Sequence, residues 1–72
     1  MVKIKGWKLE MDTTNTTYWY QKPSKYVEIN WDGWDYRLDI IDNNKVLKSV
    51  KSSNKKFLRD LAIEHMRLHP NG

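Results

Sequence analysis

Near the start of the chain, Trp7, Leu9 and Met11 alternate with Lys8, Glu10 and Asp12. A period of two is the pattern of a strand with one buried face. Val2 and Ile4 lie on the opposite parity, with Gly6 at the switch, so a strand over residues 2–12 is expected to bulge or kink at Gly6. The polar run Thr13-Thr14-Asn15-Thr16-Thr17 reads as a connection. Tyr18-Trp19-Tyr20 then opens a strand over 18–22, because aromatic side chains suit a pleated surface, and Pro23-Ser24 stops it.

Val27, Ile29 and Trp31 alternate with Glu28 and Asn30, predicting a strand over 26–31. Asp32-Gly33 is a two-residue turn signal, and Trp34, Tyr36, Leu38 and Ile40 mark the return strand over 34–41. That turn sets Trp31 opposite Trp34, Ile29 opposite Tyr36 and Val27 opposite Leu38 on one face, and Glu28 opposite Arg37 on the other. Asp42-Asn43-Asn44-Lys45 is a second turn, since Asn tolerates positive φ. With Asn43-Asn44 at its tip, a strand over 46–51 brings Leu47 to Ile40 and Lys48 to Asp39.

The period then changes. Ser52-Ser53-Asn54 offers caps, and Phe57, Leu58, Leu61, Ala62, His65 and Leu68 follow at three-and-four spacing, predicting a helix over 54–68 that Pro70-Asn71-Gly72 ends. Packed on the Trp31, Trp34, Tyr36 and Leu38 face, it completes a single α+β domain over residues 1–72: a small antiparallel β-meander of about four strands on one C-terminal α-helix.

Composition sharpens that picture. A chain of 72 residues buries only about 60% of its unfolded surface, and four Trp, four Tyr and one Phe are an economical way to fill its core. The absence of Cys removes disulfides and thiolate zinc sites. No apolar run approaches the ~18 residues of a membrane span, and the first residues lack a signal-peptide core. A cytoplasmic protein with no membrane partner is expected. Asn15-Thr16-Thr17 fits a glycosylation acceptor but reads here as part of a polar loop.

For catalysis the chain offers no Cys nucleophile, phosphate-cradling Gly loop or Ser elbow. Asp32, Asp35, Asp39 and Asp42 cluster in sequence, but turn-making and cross-strand pairing account for Asp32, Asp39 and Asp42. A non-enzyme without cofactor is expected. His65 and His69 are four apart, a helical ligand spacing, yet no third ligand is marked. His65 is expected to be a structural histidine, and no metal site is assigned.

Charge is the more informative feature. The net charge is +4, and from Lys45 to Arg59 six cations (Lys45, Lys48, Lys51, Lys55, Lys56 and Arg59) run without an acid. Lys55 and Lys56 sit at the helix N-terminus, where the dipole disfavours cations and an anion would be welcome beside Ser52 and Ser53. Strand alternation cannot bury all of Tyr18, Trp19 and Tyr20 on one face, and Tyr26 lies on the parity opposite Val27. An outward aromatic near Lys22 and Lys25 is a stacking platform for bases, or equally an anchor for a protein partner.

In topology the expected architecture resembles the small three-stranded DNA-binding domains of plant transcription factors and phage-type integrases, which read the major groove with an open sheet face. That face would here carry Tyr26, Glu28, Asn30, Asp35, Arg37, Asp39 and Lys48, a mixed-charge surface rather than an Arg-rich one. No family signature carries over residue by residue.

The first functional expectation is therefore a small basic nucleic-acid-binding protein. Lys45, Lys48, Lys51, Lys55, Lys56 and Arg59 would neutralise phosphates, Ser52 and Ser53 would donate hydrogen bonds, and Tyr18, Trp19 or Tyr20 would stack. The alternative is a protein-interaction module, such as a small inhibitor or accessory subunit, that binds through exposed aromatics, an edge strand, or the Ile63 and Met66 side of the helix. A homodimer through an edge strand belongs to this second class.

Overall fold

A computed structural model describes residues 4–70. Five strands precede one helix: β1 (Lys8–Asp12), β2 (Thr16–Lys22), β3 (Lys25–Trp31), β4 (Tyr36–Asp42), β5 (Lys45–Ser52) and α1 (Lys55–Leu68). Every strand pairs antiparallel with its chain neighbours, in the order β1-β2-β3-β4-β5. The fold is thus α+β, an antiparallel meander packed on a C-terminal helix, with five strands rather than about four.

The strand expected over 2–12 starts only at Lys8. Trp7 N–H donates to the Ile4 carbonyl (3.0 Å) across a turn in which Gly6 has φ +82°. Val2 and Lys3, and the Asn71 and Gly72 of the expected helix stop, lie outside the described residues.

The β3–β4 hairpin keeps the expected faces but not the expected partners. Trp31 pairs with Tyr36, Ile29 with Leu38 and Val27 with Ile40, so the loop is Asp32 to Asp35 rather than Asp32-Gly33 alone. One Asp32 carboxylate oxygen accepts the amides of Trp34 (2.9 Å) and Asp35 (2.8 Å), and Asp32 N–H donates to the Asp35 carbonyl (3.0 Å). This closed loop takes Trp34 out of the sheet. A shift of two residues preserves inside and outside, since side chains alternate with period two. Glu28 consequently opposes Asp39, and Arg37 opposes Asn30.

At the β4–β5 hairpin, Asn43 (φ 54°) and Asn44 (φ 63°) form the tip, the doubly left-handed geometry that suits strand twist. Val46 pairs with Ile41, but Lys48 then pairs with Ile40, leaving Leu47 as a bulge. The extra residue overturns two expected pairs. Ile40 faces Lys48 instead of Leu47, and Asp39 faces Ser49 instead of Lys48.

Helix α1 is capped by Asn54, whose side-chain oxygen accepts Phe57 N–H (3.2 Å). It buries Leu58, Ala62 and Met66 against Ile4, Trp19, Val27, Ile29, Leu38 and Ile40. The buried stripe is rotated toward Met66 from the arc read in the sequence: Phe57 and Leu68 are exposed, and Leu61 and His65 are half-buried. Neither Trp31 nor Trp34 belongs to this core, so the face expected to receive the helix is shifted toward Val27 and Ile40. At the helix end, Trp7 Nε1 donates to the His69 carbonyl (3.0 Å) and Gln21 Nε2 to the Pro70 carbonyl (2.9 Å). A side chain at Gly6 would collide with that same Pro70 carbonyl, so glycine is what lets the two segments meet.

Candidate functional site

The six cations from Lys45 to Arg59 do not gather on one open surface. Lys51 Nζ lies 3.7 Å from Asp32 Oδ2, and Lys56 Nζ is 3.6 Å from Asp60 Oδ2 one helical turn on. Arg59 Nη1 is 3.3 Å from Asp12 Oδ1, with its guanidinium 5.6 Å from the Trp19 ring centroid. Lys55 crosses to the β1–β2 turn, donating to the carbonyls of Thr13 (2.8 Å) and Thr14 (3.2 Å), and lies 5.7 Å from the Tyr36 centroid. Ser52 Oγ accepts Asn54 N–H (3.0 Å) and Ser53 is exposed. Among the described residues, only Lys45 and Lys48 of the six make no ion pair or side-chain hydrogen bond. Both are exposed on β5.

The aromatic triplet of β2 divides as strand geometry requires. Trp19 turns inward and is buried, while Tyr18 and Tyr20 lie on the face away from α1. There Tyr18 meets Tyr20 (centroids 6.4 Å apart) and Tyr26 (5.4 Å). Partial burial, then the neighbouring Tyr26, Glu28 and Glu10, push the Tyr18 phenol above its ordinary pKa. The open face has a ladder row of Tyr18, Glu28, Asp39 and Ser49 beside a row of Thr16, Asn30, Arg37 and Lys51. Arg37 Nε reaches the buried Asp39 carboxylate at 3.0 Å, across the two rows. Lys48 and Asp35, both expected on this face, are elsewhere: the Leu47 bulge turns Lys48 to the helix side, and Asp35 is in the loop.

Two other features stand out on the surface. At the β3–β4 loop the Trp34 side chain is 86% exposed, next to an exposed Trp31 whose ring centroid is 4.9 Å from that of Tyr36. The amides of Asp35 and Trp34, then Lys51, hold the Asp32 carboxyl below its ordinary pKa. The sequence placed Trp34 among core residues. The signal that could have exempted it is Asp-Gly-Trp-Asp, in which an Asp oxygen can close an Asx turn on the amides two and three residues on.

The second feature is a cleft of about 220 Å³ between α1 and the β5 side of the sheet, lined by Leu38, Ile40, Lys48, Leu61, Glu64, His65 and Leu68. The ring of its His65 lies tilted against that of His69 (centroids 4.5 Å apart). Burial, then His69 and Lys48, lower the His65 pKa against an opposing pull from Asp42. Among the described residues, no three His, Cys, Asp or Glu side chains are grouped to hold a metal ion. No helix there is long and apolar enough to cross a membrane. No family model, curated protein or solved structure matches the chain.

Proposed function

We propose that this protein is a protein-interaction module and that Trp34 is its principal anchor. The observation that carries the reading is an indole 86% exposed on a loop whose backbone is closed by Asp32. Exposed single apolar residues are common, but a large aromatic held out on an ordered turn is costly surface without a partner. Trp is among the residues enriched where interfaces concentrate their binding energy. An already ordered loop also spares the partner part of the entropic cost of fixing it. Trp31 and Tyr36, at the two ends of the strands that the loop joins, form an aromatic pair at its base.

Phosphate binding by the Lys45–Arg59 cations has less support, because Lys51, Lys55, Lys56 and Arg59 are already engaged within the chain. The two readings separate by salt and by mutation. Proteins captured from the native cell by the wild-type domain should be lost with Trp34→Ala and retained through moderate salt. Trp34→Ala should change stability by no more than about 0.5 kcal/mol, since the side chain packs against little. A capture profile identical for both proteins would refute the anchor. Binding of duplex, single-stranded DNA or RNA that falls steeply with salt would favour the phosphate reading instead.

A further inference from the structure

We propose that β5 is a docking edge for an extended segment of another protein carrying acidic and apolar side chains in a set order. The inference goes beyond the Trp34 anchor and uses a different surface. Among the described residues β5 pairs only with β4, so alternate residues present backbone N–H and C=O groups with no described strand beside them. After the Leu47 bulge the ladder runs regularly from Lys48 opposite Ile40 to Ser52 opposite Tyr36, giving a straight stretch on which a further strand can pair.

The side chains beside that edge set the occupant's chemistry. On the helix side Lys48 borders the cleft, whose lining includes Leu61 and Leu68, and Val50, opposite Leu38, is half-buried against the core. On the open face Lys51 follows, held by Asp32 at 3.7 Å. A strand laid antiparallel on β5 would therefore read unrestricted opposite Lys51, which Asp32 already pairs, apolar opposite Val50, unrestricted opposite Ser49, and acidic opposite Lys48. A second copy of this chain is the poorer occupant. Strand β5 carries Lys45, Lys48 and Lys51 and no acid, so self-pairing crowds six like charges along one seam. The lysines that keep this edge from its own kind thus select a partner of opposite charge.

The test is a fluorescence-anisotropy titration of the whole protein with labelled short peptides. One has Glu at the position opposite Lys48 and Leu at the apolar one, a second has Lys in place of Glu, and a third is the acidic peptide with alternate amides N-methylated. Expected are binding of the first peptide, roughly tenfold or greater preference over the second, and loss of that preference in Lys48→Glu. The N-methylated peptide should not bind, since a paired strand needs those amides. Trp34→Ala should leave the affinity unchanged, which keeps this outcome separate from the fate of the anchor. Equal binding of acidic and basic peptides, undiminished binding after N-methylation, or binding of neither peptide would overturn the proposal.

Discussion

Asp32 shows how one side chain sets both the local geometry and the surface above it. Its carboxylate gathers two amides and faces Lys51, and these contacts favour the charged form. The stability it contributes is therefore present above the ordinary Asp range, near pH 4, and lost as pH falls through its lowered folded value. Asp32→Asn keeps an acceptor but removes the charge. The melting temperatures of variant and wild type should converge between about pH 4 and pH 2, and a gap independent of pH would refute the assignment. The residue types were readable here: Asp32-Gly33 announced a turn, and Gly33 adopts φ +101°. What could not be read was the turn's length, because two-residue and four-residue closures leave the same faces buried.

At the scale of elements the period of the hydrophobic pattern told which side of each strand is inside, and little about what lies across from it. Val27, Ile29, Leu38 and Ile40 are all core, as the alternation requires. The charge pairs inferred from register were displaced by the longer loop and by the Leu47 bulge, and the result is Glu28 directly opposite Asp39. Arg37 is the compensation, with Nε 3.0 Å from Asp39. Arg37→Ala should destabilise the sheet by about 1–3 kcal/mol, since it leaves a buried carboxylate without its donor. Glu28→Gln should recover part of that loss, and urea denaturation of the two single variants and the double variant would measure the coupling. Additive effects would mean that the two acids do not sense each other. The helix followed its spacing, but its buried stripe is Leu58, Ala62 and Met66, packed in one cluster with Trp19 and the core of the sheet.

Over the whole molecule, the dispersal of charge was the least legible property. The cation run from Lys45 to Arg59 is continuous in sequence, yet Lys55 reaches a turn some forty residues away and Arg59 reaches Asp12. These are tertiary partners that no local pattern encodes. His65 joins helix, cleft and sheet, and its lowered pKa makes it a global acid sensitivity. Its neutral form is the one the fold accepts, so the stability tied to it is present above about pH 6.5 and lost as pH falls below that. Thermal melts should show a decline between about pH 7 and pH 5 that His65→Gln removes. A decline of equal size in the variant would assign the effect to other groups.

The separation of the tryptophans into sheltered and bare positions makes the chain its own pair of optical probes. Trp34 is 86% exposed and Trp19 is 2% exposed. A collisional quencher such as iodide reaches the first and the exposed Trp31, and the half-buried Trp7 in part, while the emission of Trp19 persists. A partner seated on the loop shields the quenchable fraction, and unfolding adds Trp19 to it. One titration thus distinguishes an occupied surface from a lost core, two events that a change in total emission would confuse.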